Sequence, residues 1–150
     1  LEAVTVTEFP EAAWQKIMVR VYYEDTDFSG VVYHANFLKF AERGRSDYLR
    51  AIGIHHRALA ARDLPLAFAV TEMDIKFLQP ARIDDELEVA TRFYDIRAAR
   101  LRAEQVIFRD GEMIWHANLT AASIDFAGKP RRLPAELVGL FDQLPRVALV

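Results

Sequence analysis

Cysteine is absent from these 150 residues, so neither a disulfide framework nor a thiol nucleophile is available. Long apolar runs are missing as well, and no stretch approaches the ~20 consecutive apolar residues needed to cross a bilayer as a helix. Residues 1–14 carry Glu2, Glu8 and Glu11 and have no basic start leading into an apolar core, which argues against a secretory signal and makes a cytoplasmic location the expectation. Charge of one sign is not in excess either. Nineteen basic residues face 22 acidic ones, a formal net charge of -3, which removes the electrostatic case for nucleic acid or an anionic membrane as partner. What remains, 52% hydrophobic and 27% charged, is the composition of a folded globular chain. No internal repeat or linker interrupts it. A single domain over 1–150 is expected, with 1–14 loosely ordered.

Hydrophobic periodicity sets the order of elements. In residues 16–23, Ile17, Val19, Val21 and Tyr23 alternate with Lys16, Met18, Arg20 and Tyr22, the signature of a strand. Ser29 and Gly30 break it. Residues 33–52 then follow a helical period, with Tyr33, Phe37, Ala41, Gly44, Tyr48 and Ile52 on one face and Lys39, Glu42, Arg43, Ser46, Asp47 and Arg50 on the other. Gly53 is a natural stop. Gly44 inside the apolar face costs about 1 kcal/mol of helix propensity, and the compensation expected is close approach to another element. Tyr48 and Phe37 read as core.

After a short helical stretch at 55–63 the period becomes 2 and stays so. Runs at 71–77, 87–93, 101–108 and 113–126 read as four consecutive strands, with a phase slip near Gln105 that predicts a bulge. Asp110-Gly111 is a two-residue hairpin signal, and 133–144 predicts a terminal helix. Strand, long helix, four strands fits an α+β fold in which a curled antiparallel sheet wraps one long central helix. A doubly wound fold needs helices between the strands, and 71–126 offers none.

Chemistry concentrates at residues 22–36, where Glu24, Asp25 and Asp27 fall between a strand and a helix, close to His34. Acids there can simply cap free N–H groups and favour the positive end of the helix dipole. The same place suits catalysis: the helix terminus keeps a carboxylate ionised while its N–H groups polarise a carbonyl oxygen. Metal binding by Glu24, Asp25, Asp27 and His34 is the weakest reading, since no characteristic ligand spacing is present.

The run 23–30, followed by Val31, Val32, Tyr33 and His34 and then by 37–45, resembles the 4-hydroxybenzoyl-CoA thioesterase family. Within it the likeness is greatest to bacterial acyl-CoA thioesterases associated with the Tol–Pal envelope system, and it extends more loosely to about Leu133. The resemblance implies the hotdog fold, a homo-oligomer (dimer or tetramer), an acyl-CoA substrate and no cofactor or metal. It places the catalytic carboxylate at Asp27, as nucleophile or as general base. It assigns polarisation of the carbonyl to the backbone N–H of His34, leaving the His34 ring to line the substrate or support the structure. Gly30, Val31 and Tyr33 are the implied substrate contacts, and Asp25 and Glu24 become structural. Glu42 is a rival, because another hotdog thioesterase branch sets its acid on the central helix.

Coenzyme A carries phosphates. Lys129, Arg131 and Arg132 are expected at the mouth of the site, with Arg82, Arg97 and Arg100 as weaker candidates and a solvated turn as the plain reading of the cluster. Phe28 and residues 66–68 are candidates for the acyl pocket. Two rivals frame this reading. A hotdog dehydratase requires a catalytic His in a Pro- and Gly-rich context that is not present. An acyl-CoA or acyl-carrier-protein binding module, acting as scaffold or sensor, leaves Asp27 without a task.

Overall fold

The computed structural model describes residues 11–149, so of the segment expected to be loose, 1–10 lie outside the described residues. Residues 11–14 are ordered: β1 (Glu11–Ala12) pairs with β7 (Val147–Ala148), and Trp14 is buried. The period-2 runs form one antiparallel sheet of β2 (Gln15–Arg20), β3 (Ala67–Phe77), β4 (Glu86–Arg97), β5 (Arg100–Arg109) and β6 (Glu112–Ile124), in the order β2-β4-β5-β6-β3. The long helix α1 (His34–Ala51) lies on its inner face, and α2 (His56–Ala60) follows it. This is the hotdog arrangement. Among the described residues, no helix is long and apolar enough to cross a membrane.

Most of the helical stripe read from the sequence is buried, Phe37, Ala41, Gly44 and Tyr48 within α1 and Ile52 just after it, joined by Phe40 and Leu49, whereas Tyr33 precedes the helix and is exposed. Phe37, Phe40 and Ala41 pack with Val89, Ile107, Trp115 and Ala117, while Tyr48 and Leu49 pack with Leu101, Ala103, Leu119 and Ala121. The chain ends close the core: α3 (Ala135–Val138) and a 3-10 turn at Gly139–Asp142 bury Leu137 and Phe141. The terminal helix expected over 133–144 is thus split into two short pieces.

Two local expectations fail for physical reasons. The first strand stops at Arg20, because Val21 bonds the β3–β4 connection (its N–H donates to Asp85 O at 2.9 Å) and Tyr23–Asp25 tightens into a 3-10 turn. No bulge occurs at Gln105; the register shifts between Ile107 and Phe108 instead. Residues 103–108 are buried without alternation because both faces of β5 are covered. Helix α1 covers the inner face, and Ala12, Trp14 and Leu149 pack on Ala90, Val106 and Phe108 outside.

The close approach expected at Gly44 is real. A Cβ there would lie 2.7 Å from Thr91 Oγ1 and 2.8 Å from Val89 Cγ1. Both are β-branched residues fixed on a buried strand, so neither can swing away. Gly44→Ala should therefore be net destabilising: the gain in helix propensity is about 1 kcal/mol, and overpacking costs about 1–3 kcal/mol with strained contacts at the top of that range. Urea unfolding should show a lower midpoint. An unchanged or higher midpoint would mean that the helix does not seat where the structure places it.

Candidate active site

Backbone hydrogen bonds join the segment between β2 and α1 to the first turn of the helix. The Asp25 carboxylate accepts the Tyr22 N–H at 2.8 Å, closing the 3-10 turn. The Asp25 carbonyl accepts from Tyr33 N–H at 2.9 Å and from the Asn36 side-chain amide at 2.8 Å. Asp25 therefore positions the start of α1, in the structural role expected of it. Between these anchors Thr26 and Val32 form an antiparallel bridge, and residues 27–30 reverse the chain. Asp27 N–H donates to Val31 O at 2.9 Å and Gly30 N–H donates to Asp27 O at 3.0 Å. Gly30 sits at φ +85°, a left-handed conformation that glycine adopts without strain.

Asp27 stands at this turn with its carboxylate exposed, and it does not cap α1. Its Oδ1 accepts the Ser29 hydroxyl at 2.6 Å and the Ser29 N–H at 2.8 Å. The Ser29 hydroxyl chiefly, then the Ser29 N–H, holds the Asp27 carboxyl below the usual carboxylate range, with lesser help from the Val31 backbone and the neighbouring His34 ring. Helix α1 opens after Tyr33, which supplies no side-chain cap. Asn36 N–H bonds Tyr33 O at 2.8 Å. Among the described residues the His34 and Ala35 N–H groups have no acceptor. Unsatisfied donors at the positive end of an 18-residue helix suit an oxygen that gains negative charge. The His34 ring itself is exposed, 4.5 Å from the Tyr33 ring by centroid and edge-on to Phe77 at 6.3 Å.

Asp27, Gly30, Val31, Tyr33 and His34 are thus gathered in one turn and helix start. Lys129, Arg131 and Arg132 are not with them. Asp27's neighbourhood is pinned to the β3–β4 connection, where Val32 N–H donates to Ala81 O and Val31 bridges Arg82. The basic cluster follows the far end of β6, where Ile124 pairs with Ala67 at the opposite end of β3. The 11-residue β3 makes that separation roughly 30 Å. Arg97 and Arg100 flank the β4–β5 turn at the same far end, whose Ala98 carbonyl accepts from Leu133 N–H. Arg131 is also engaged with Asp125 at 3.5 Å. The expectation overlooked that an antiparallel β6 carries its end away from the site. Arg82, ranked lower, lies on the β3–β4 connection, bridged to Val31 of the site. Ser29 was read only as a strand breaker; the Asp-x-Ser pattern, in which a side-chain oxygen binds the backbone two residues on, is the signal for its role. Glu42 is exposed eight positions along α1, accepting the Ser46 hydroxyl at 2.6 Å. Phe28 is fully exposed, and Leu66 is core.

A family model described as a thioesterase-like superfamily matches residues 21–141. The chain is 39% identical over 127 residues to the acyl-CoA thioesterase YbgC of Haemophilus influenzae, covering 84% of this chain and 93% of that one. A probable thioesterase from Bartonella henselae superposes with TM-score 0.78 at 45% identity, covering 81% of this chain and 99% of its own. A mutant 4-hydroxybenzoyl CoA thioesterase complexed with 4-hydroxybenzoyl CoA also superposes with TM-score 0.78, covering 86% and 99%, and at 16% identity it shares the fold alone.

The Ser29 bonds give a direct expectation. In Ser29→Ala the hydroxyl donor is gone, so Asp27 should titrate at a higher pH than in the native chain, as followed by the carboxyl carbon shift in NMR. Coincident titration curves would show that the hydroxyl does not hold the proton equilibrium.

Proposed function

This chain belongs to the thioesterase-like superfamily, and from that membership we propose that it hydrolyses the thioester of an acyl-CoA to the free acid and coenzyme A, with Asp27 as the catalytic carboxylate. One observation carries the assignment to this site. An exposed carboxylate kept ionised by Ser29 is set in the turn whose hydrogen bonds run back to the start of α1, where two N–H groups are unsatisfied. The thioester carbonyl oxygen accepts from the His34 N–H, and its carbon becomes more electrophilic as charge moves to that oxygen. Asp27 then acts in one of two ways. It attacks the carbonyl carbon, expelling the CoA thiolate and leaving a mixed anhydride for water to cleave, or it takes a proton from a water that attacks. Gly30, Val31 and Tyr33 form the surface against which the acyl thioester lies.

Arg82, bridged to Val31, is a cation that this chain itself supplies near the site for a CoA phosphate. The cluster Lys129, Arg131 and Arg132 serves only if a second protomer brings it there. Self-association is part of the proposal. Among the described residues the strands β2 and β3 leave the sheet with unpaired edges. Edge pairing to a dimer, with tetramers built from it, would cover them.

Ionised Asp27 is the active form in both mechanisms. Activity should therefore be full above its lowered pKa and fall only as the pH drops through it, so the acid limb of kcat lies below that of an ordinary carboxylate. Asp27→Asn should lose at least about a hundredfold in kcat, the scale of one acid–base role, with coenzyme A binding by calorimetry retained. Near-normal thiol release by this variant would transfer the assignment to Glu42, to be tested with Glu42→Gln. Absence of thiol release from the native chain with every acyl-CoA would leave a binding module. Light scattering at micromolar concentration should give at least twice the chain's 17.2 kDa, and a monomer mass would contradict edge pairing.

A further inference from the structure

The backbone of helix α1 lies nearest β2 and β4, and its side chains reach across β5 and β6. The inner side of the edge strand β3 is left incompletely covered: Phe68, Met73 and Ile75 are half-buried and Phe77 is exposed. A strip of apolar side chains therefore runs beside the helix. At its head Phe77 meets the His34 ring of the candidate site. At its foot Phe68 meets the His56 ring edge-on at 6.4 Å. There the strip ends in a pocket of about 90 Å3 walled by Leu49, Phe68, Phe93, Leu101 and Ala121.

We propose that this pocket is the acyl subsite for the methyl end of a long-chain substrate, and that it sets the chain length the enzyme prefers. The proposal rests on the acyl-CoA reading above. The ligand class follows from the lining. Most of the lining is hydrocarbon, and its four polar side chains, Glu42, Arg45, Ser46 and His56, are each engaged in a hydrogen bond. The Ser46 hydroxyl donates to Glu42 Oε1 at 2.6 Å and its oxygen meets His56 Nε2 at 3.0 Å. A carboxylate only accepts and the hydroxyl has one proton, so His56 Nε2 is the donor to Ser46. Arg45 turns to Gln105 Oε1 at 3.0 Å. A saturated chain end loses nothing on entering such a site, whereas a polar chain end would give up its water.

The length follows from the helix. From His34 to Leu49 it rises about 22 Å at ~1.5 Å per residue. An extended chain advances about 1.2 Å per bond, as three backbone bonds span at most ~3.6 Å. The pocket lining also includes Arg45, about 16 Å along the helix, so about 14 to 18 bonds are needed, and acyl chains of about 15 to 19 carbons reach from the thioester to the pocket while short ones stop on the open strip.

The test is thiol release from saturated acyl-CoAs of four to eighteen carbons. In the native chain kcat/KM should climb with length and be greatest at about sixteen carbons or above. Ala121→Leu fills the pocket, and the ratio of kcat/KM for a sixteen-carbon over a four-carbon substrate should fall at least about tenfold, the scale of excluding a methylene or more. Phe68→Ala enlarges the pocket and should move the preferred length upward; it carries the test if Ala121→Leu does not fold, as judged by circular dichroism. A native profile that peaks at four to six carbons, or an unmoved ratio in folded variants, overturns the subsite while leaving the hydrolase reading intact. No thiol release at any length overturns both.

Discussion

At Gly44 helix α1 approaches the sheet too closely for a Cβ, and a buried amide holds it there. Gln105 Nε2 donates to Ala41 O and to Thr91 Oγ1, both at 2.8 Å, while its Oε1 accepts from Arg45. Gln105 and Thr91 are fully buried, so each of these polar atoms would carry a desolvation cost of about 1–3 kcal/mol without its partner. A helix slid along the sheet or lifted from it would break the set. The apolar contacts around it tolerate small shifts; the hydrogen bonds and the missing Cβ do not. This seat fixes the height and the lateral position of α1, and the rest of the site inherits both.

Its consequences run in two directions along the helix. Toward the N-terminus, the seat delivers His34 to the turn that carries Asp27, and local bonds complete the alignment through the Asp25 carbonyl. The division of labour among the three acids follows. Asp25 spends its carboxylate on the Tyr22 N–H, and of the two exposed acids Glu24 and Asp27 it is Asp27 whose charge is secured by Ser29. Toward the C-terminus, placement nearest β2 and β4 leaves β3 partly uncovered and opens the pocket at Leu49 and Phe68. One packing contact in the middle of the helix thus relates a polar reaction site to an apolar pocket about 20 Å away.

Much of this was legible in the residues because the signals are local. Alternation located five strands, the 3.6 period located α1 and its buried face, and Gly44 in an apolar stripe foretold close packing. The family resemblance carried by residues 23–45 agrees with the superfamily match over 21–141. What failed depended on where distant segments meet. The outer face of β5 is covered by the chain ends, which erased alternation near Gln105 and imitated a bulge. The basic cluster at 129–132 was expected near Asp27, but sheet topology sends it to the opposite end. Ser29 was passed over because its effect comes from geometry two residues away, with no periodicity to announce it.

The most direct measurement is a crystal structure with a long-chain acyl-CoA analogue in which a methylene group replaces the thioester sulfur, leaving a ketone that cannot be hydrolysed. The ketone oxygen should lie 2.7–3.1 Å from the His34 backbone nitrogen. An Asp27 carboxylate oxygen, or a water bonded to it, should stand beside the carbonyl carbon, and the methyl end should lie between Leu49 and Phe68. A ketone oxygen bound elsewhere, with Glu42 and not Asp27 nearest its carbon, would contradict the site described here.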